Sequence, residues 1–212
     1  RSVVGMSRHG QADALSAVNH RRDYLHNHAP NFFCEWDNAV LPGEEFMRIQ
    51  QGDDFGWPYT YYDPFQNKRL WAPEYGGDGR KEAKGYTNPL MSFPAHWAPN
   101  DLLFYTGDQF PERYKNGAFV AFHGSTNRNP YPQSGYIVAF VSFKNGSPSG
   151  SWEVFADGFI GTTPLAQMQD AKYRPMGLAQ GPDGSLYVSD SKQGKVWRII
   201  YQEDPQKFSS KA

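Results

Sequence analysis

With one cysteine, Cys34, the chain can form no internal disulfide and no thiolate cluster for zinc or iron-sulfur. It lacks any apolar run near the roughly 20 residues that a membrane-spanning helix needs. Neither sign of charge prevails: 21 Lys and Arg against 22 Asp and Glu leave a formal net charge of -1, and no basic stripe is available to neutralise phosphates. These absences speak against a thiolate metal domain, a helical membrane span and nucleic acid as the main partner. There is no Gly-x-Ser-x-Gly elbow, and no spacing of Ser, His and Asp singles out a triad, so hydrolase chemistry has no support. The opening residues, RSVVGMSRHG, show no signal-peptide pattern, although a chain whose leader had been removed would look the same.

What is abundant points the other way. Aromatic residues make up 16% of the 212 positions, alongside 16 prolines and 21 glycines, a composition of short strands and frequent turns. An all-β fold is therefore expected, and three strand sets can be picked out, near 11–51, 98–145 and 174–201. The last is clearest: Gly177-Leu178-Ala179, Leu186-Tyr187-Val188 and Val196 to Ile200 alternate with the turns Asp183-Gly184 and Gln193-Gly194. Equivalent strand ends fall near His20, His123 and Asp190. Three irregular copies of one design suggest blades of a propeller. The segment 52–97 reads as long loops, Pro164 to Gln169 as one short helical turn, and 202–212 as a polar tail. Asn145-Gly146 reads as a hairpin turn rather than a glycosylation site.

Four motifs carry chemistry, each with a plainer reading beside it. GDDFGWPYTYYDP, from Gly52 to Pro64, sets aromatic faces beside hydrogen-bonding groups, as sugar binding or cofactor stacking requires; it also reads as a loop pinned by Trp57 and Tyr61. Asn19 to Asp23 follows a strand, where backbone carbonyls suit a hard cation such as calcium, or is a solvated turn. His123 to Arg128 follows another strand, so His123 is a candidate proton carrier or hydrogen-bond donor, or a structural histidine. Lys172-Tyr173-Arg174-Pro175 opens the clearest strand set. Its arginine has the planar fork for a bidentate carboxylate contact, with a surface ion pair as the alternative.

Taken in order, Val18 to Asp23, GDDFGWPY, FPAHWAPNDLLFYTGDQFP, GAFVAFHGS-x-NR, GYIVAFV and RPMGLAQGPDGSLYVSD followed by GKVWRIIY resemble the pyrroloquinoline quinone (PQQ)-dependent sugar and sorbosone dehydrogenase family, from about Val18 to Tyr201. The resemblance implies part of a six-bladed β-propeller, about three blades, with PQQ and calcium at the channel mouth. It implies oxidation of a sugar or related alcohol or aldehyde by hydride transfer to PQQ, with a cytochrome or quinone as electron acceptor and a periplasmic or secreted location. By the same resemblance, the carbonyls of Arg21 and Arg22 fall among calcium ligands, and Arg174, His123, Asn127 and Arg128 among cofactor contacts. The family's catalytic histidine would precede Arg1, so no catalytic residue is assigned. The remaining blades are expected in the same or a companion chain. Arg21 stands where the family has glycine and Thr126 where it has tryptophan, while Met6 to His9 replaces an Arg-Asn-Pro stretch. The departures at Arg21 and Thr126 support an alternative, a non-catalytic carbohydrate-binding or scaffolding propeller.

Overall fold

The computed structural model describes residues 2–9, 13–19 and 39–203. Strands β1 (Ser2–His9), β2 (Asp13–Asn19) and β3 (Glu44–Ile49) come first, then β4 (Thr60–Asp63), β5 (Lys68–Trp71) and β6 (Met91–Phe93). A second group holds β7 (Pro99–Phe104), β8 (Ala118–Phe122), β9 (Ile137–Val141), the short β10 (Phe143–Lys144) and β11 (Ser147–Pro148), and β12 (Glu153–Ala156). The last group is β13 (Pro175–Gln180), β14 (Leu186–Asp190) and β15 (Val196–Ile199).

Three antiparallel sheets organise these strands, in the orders β1-β2-β3-β6, β7-β8-β9-β12 and β13-β14-β15. In each sheet the first strand in sequence occupies one edge, and β7 lies against both β1 and β13. First strands that touch while later strands step outward are the arrangement of propeller blades around an axis. The registers are equivalent too. Ser2 pairs with Asn19, Pro99 with Phe122 and Pro175 with Asp190, so each second strand ends opposite the start of its first.

Packing follows from the sequence of the middle sheet. AFVAF in β8 is buried at every position and IVAFV in β9 at all but the first, so neither strand alternates between apolar and polar. Such continuous runs mark strands covered on both faces. One face, with Ala118, Val120, Phe122, Ala139 and Val141, packs with Phe46 and Phe93 of the first sheet. The other, with Phe119, Val138 and Phe140, packs with Leu186 and Val188 of the third.

Turn chemistry closes the hairpins. Asn145 and Gly146, both at positive φ, join β10 to β11, as the Asn-Gly pair leads one to expect. A 3-10 turn at Met168–Asp170 falls at the end of the stretch read as a short helical turn. Two features differ from the sequence reading. β1 adds a strand before the first set, and Met6 to His9 lies within it. The segment read as long loops contains the β4–β5 hairpin, and β6 from its end completes the first sheet. That hairpin is hidden in the sequence because Thr60, Tyr61, Tyr62 and Asp63 are all buried, which removes the two-residue alternation that signals a strand.

Candidate functional site

Two of the equivalent strand ends, near His123 and Asp190, meet in one cluster. After β8, the backbone N–H groups of His123 and Gly124 donate to the carbonyls of Ala98 and Trp97, at 2.9 Å each, which ties the end of β8 to the approach of β7. Ala98 in turn donates its N–H to Oε1 of Glu44, a fully buried carboxylate at the start of β3. Gly124 is held at φ 90°, and a side chain there would strike the ring of Tyr136, so the close approach needs glycine.

Arg174, just before β13, reaches across to this turn. Its Nε donates to the His123 carbonyl at 3.0 Å and its Nη2 to the Gly124 carbonyl at 2.8 Å. The guanidinium lies over the Tyr136 ring, 5.6 Å from the centroid, and among the described residues Nη1 meets only the sulfur of Met168, at 2.9 Å. A thioether is a weak acceptor, so this nitrogen keeps donor capacity for a stronger one. Burial lowers the pKa of Arg174, and the side chain remains a cation throughout the neutral range. Lys172 is exposed, with its ammonium 5.4 Å from the Tyr173 ring centroid.

Asp190, at the end of β14, fixes the backbone on the far side. Oδ1 accepts from the N–H groups of Arg174 at 2.6 Å and Lys192 at 3.1 Å, and Oδ2 from Gln193 at 2.6 Å. The next residue, Ser191, places its Oγ 2.6 Å from Nε2 of His123. Burial, followed by the nearby Arg174 cation, pushes the His123 pKa down to about 4 against a weaker opposing pull from Asp190. His123 is therefore neutral at physiological pH, poised to exchange a hydrogen bond with Ser191 but a poor proton acceptor.

Of the residues expected at a cofactor site, Arg174 and His123 meet directly. Asn127 is exposed on the loop beyond them. Arg128 lines a separate cavity with Phe65, Ser92, Phe93 and Trp152, none of which is a hydrogen-bond partner of the Arg174 side chain. Arg21 and Arg22, the expected calcium ligands, lie outside the described residues, as do His20 and Asp23. Ser191, Tyr136 and Met168 complete the cluster without having been singled out from sequence, together with Asp190, which the sequence reading named only as a strand end. Asp190 had a signal: an aspartate ending a strand before Ser-Lys-Gln-Gly is placed to cap the following turn with its side chain.

Comparison with known proteins resolves the family. The TrAA12-like family model matches residues 5–202. The chain belongs to that family. This is the PQQ-dependent sugar dehydrogenase-like group that the order of motifs resembles. A PQQ-dependent pyranose dehydrogenase of Coprinopsis cinerea is 33% identical over 138 residues, covering 55% of this chain and 17% of that protein. A PQQ-dependent sugar dehydrogenase of Hypocrea jecorina is 26% identical over 187 residues, covering 77% of this chain and 39% of that protein. A calcium structure of a Trichoderma reesei Carbohydrate-Active Enzymes Family AA12 protein superposes with a TM-score of 0.69 at 21% identity, over 96% of this chain and 52% of that one. The fold of this TrAA12-like chain is thus that of about half of the solved AA12 structure. The chain spans less than half the length of the curated relatives it matches.

Proposed function

We propose that this chain is part of a quinoprotein oxidoreductase that oxidises a sugar or related alcohol or aldehyde, and that it is incomplete and inactive alone. The observation that carries the reading is the match along residues 5–202 to a family whose named relatives are PQQ-dependent sugar dehydrogenases. In this reading the three sheets are blades of a six-bladed propeller, and the other blades come from the same or a companion chain.

The residues present fit one end of PQQ. Arg174 is immobilised by two backbone carbonyls and a ring face, while Nη1 faces a thioether, so its fork is oriented and still able to donate to a carboxylate. PQQ, when bound, supplies a quinone that accepts hydride. Arg174 would hold a carboxylate of the cofactor and set its orientation. His123, neutral and hydrogen-bonded to Ser191, would shape the rim and hold Arg174 through its carbonyl, without taking the substrate proton. No residue of this chain is assigned as the proton acceptor. Calcium at the carbonyls of Arg21 and Arg22, Asn127 as a further cofactor contact, a cytochrome or quinone acceptor and a periplasmic or secreted location are parts of the same proposal. Among the described residues no helix is long and apolar enough to cross a membrane.

The test uses the full-length protein loaded with PQQ and calcium, given a panel of aldoses and an artificial electron acceptor. Turnover supports the reading, and absence of both PQQ absorbance and turnover across the panel removes it. Arg174→Ala should weaken PQQ binding by about 1.5–3 kcal/mol, the range for a hydrogen bond to a charged group, with Lys172→Ala costing less. Equal PQQ affinity in wild type and Arg174→Ala, with calcium present, would take Arg174 out of the site.

A second reading, carbohydrate binding without redox chemistry, is favoured by one observation. Trp57, Tyr59, Phe65 and Tyr75 all leave aromatic surface exposed around the β4–β5 hairpin. A cavity of about 310 Å³ nearby is lined by Trp71, Tyr75, Asp78 and Lys81. Aromatic faces beside charged hydrogen-bonding groups suit saccharides. Calorimetry showing saccharide binding with no PQQ binding would select this reading.

A further inference from the structure

Arg128 departs from the strand-end cluster. It extends from the loop between β8 and β9 into a cavity of about 230 Å³ whose walls include Phe65, Ser92, Phe93, Pro94 and Trp152. This cavity sits at the outer margin of two sheets. Phe93 ends β6, the far strand of the first sheet, and Trp152 directly precedes β12, the far strand of the second. Their rings approach to 6.1 Å between centroids. Arg174, by contrast, precedes β13, the first strand of its sheet. No residue lining the cavity is a partner of Arg174.

The guanidinium of Arg128 is only half satisfied. Its Nε is buried and has no hydrogen-bond partner among the described residues. Nη1 reaches the Pro132 carbonyl only at 3.4 Å, and the plane lies 5.7 Å from the centroid of the Tyr131 ring. Among the described residues no acidic side chain offsets the charge: burial lowers the Arg128 pKa, and Tyr131 opposes the shift. Half-buried arginines are ordinarily met by a carboxylate, because an unpaired donor in a dry setting is costly. Here the charged fork faces apolar and aromatic walls. Ser92 adds a polar point whose hydroxyl donates to the Glu44 carbonyl at 3.1 Å and so can still accept.

We propose that this cavity binds a small carboxylate carried on a flat apolar face, with Arg128 as the anchor of the carboxylate and the accessible Phe65 and Trp152 as walls for the ring. The fork geometry of arginine selects a planar two-oxygen anion over a point charge, and aromatic walls select a ring over an open chain. An aromatic carboxylate and a uronic acid share that chemistry. The site requires no PQQ and is independent of the quinoprotein reading.

The test is a titration of the intact protein, without PQQ, using benzoate and glucuronate against their uncharged counterparts benzyl alcohol and glucose. Binding is read by calorimetry and by Trp fluorescence. The expected result is that at least one carboxylate binds more tightly than its uncharged counterpart by about tenfold or more. Whichever carboxylate binds identifies the ring class. Arg128→Gln should abolish the preference, and Arg128→Lys should retain part of it, since charge survives but the fork does not. If Arg128→Gln does not fold, Arg128→Lys decides: an affinity unchanged from wild type counts against the anchor. Equal binding of charged and uncharged ligands, no binding of either carboxylate, or full carboxylate affinity in Arg128→Gln would overturn the site. So would displacement of bound benzoate by stoichiometric PQQ, which would give the cavity to the cofactor.

Discussion

Where the second sheet meets the third, burial is achieved with rings and aliphatic chains. Phe119 packs at 4.4 Å on Phe155 and 5.2 Å on Phe140, with Leu186 and Val188 completing the contact. A polar atom that enters this layer, the Tyr105 hydroxyl, donates to the Gly184 carbonyl at 2.8 Å and accepts the N–H groups of Gln109 and Phe110. Beside the first sheet, the β4–β5 hairpin docks differently. Arg69 and Glu45 form an ion pair at 2.6 Å with side chains 1% and 0% exposed. Thr60 receives a long hydrogen bond from Arg69, and Tyr62 has its pKa raised, chiefly by burial and then by Glu45. The first region gains from apolar area. The second fixes a register between hairpin and sheet at the cost of desolvating two charges.

The sharpest way to break that comparison is at Arg69. Arg69→Met strands the Glu45 carboxylate in the interior and should cost about 3–5 kcal/mol in urea unfolding. Replacing both partners, Glu45→Leu with Arg69→Met, should recover most of that loss, because an apolar pair of similar volume avoids both desolvation penalties. If the double variant is no more stable than the single one, the ion pair is a net source of stability and the contrast between the two regions fails.

The same contrast explains what could be read from sequence. Strands β8, β9 and β14 are legible because AFVAF, IVAFV and LYVSD are apolar or β-branched runs bounded by turn residues such as Asp183-Gly184. The hairpin of β4 and β5 is not, because TYYD and KRLW bury Asp63 and Arg69 among aromatics, and a buried charge imitates a solvent-facing residue. At the site, Arg174 and His123 were legible because both flank strand ends that a repeated sheet design brings together. Their partners Ser191 and Met168 were not, since hydroxyl and thioether side chains carry no pattern until the backbone places them. Nor does the run from His123 to Arg128 reveal that its last residue turns to another cavity, because loop direction is set by contacts such as Tyr136 to the Ser125 carbonyl, at 2.6 Å.

Asp190 offers a smaller effect with a pH signature. Burial alone would raise its pKa, but the backbone N–H groups of Arg174, Gln193, Lys192 and Lys195 outweigh burial and hold the carboxyl below its usual value of 3.8. A group whose folded pKa is depressed contributes stability above its unfolded pKa and loses it as the pH falls through the folded value. Asp190→Asn keeps the shape but loses the charge and one acceptor oxygen, so it should cost about 1–3 kcal/mol near neutral pH. The gap between wild type and variant should begin to close as the pH falls below about 4, where the carboxyl of the unfolded chain takes up its proton, and should finish closing only below the lower folded pKa. Thermal midpoints across an acid series measure this. A gap independent of pH would show that Asp190 acts through shape alone.

The smallest effect is expected at the rim of the apolar region. Arg113 Nη1 donates to both carboxylate oxygens of Glu153, at 2.7 and 3.0 Å, and its guanidinium lies 4.3 Å from the centroid of the Tyr114 ring. The geometry is good, yet the side chains are 60% and 43% exposed, so water competes for both charges. Exposed pairs of this kind contribute about 0.2–1 kcal/mol. Glu153→Gln should therefore shift the urea midpoint only slightly, and the shift should vanish in about 1 M salt, where charges are screened beyond roughly 3 Å. The Asp190→Asn difference should survive that salt, because the partners of Asp190 are backbone N–H groups around a buried carboxylate. A Glu153→Gln loss that is larger and indifferent to salt would mean that this residue anchors β12 by packing against β9, its neighbour in the sheet, and that the rim belongs energetically to the core.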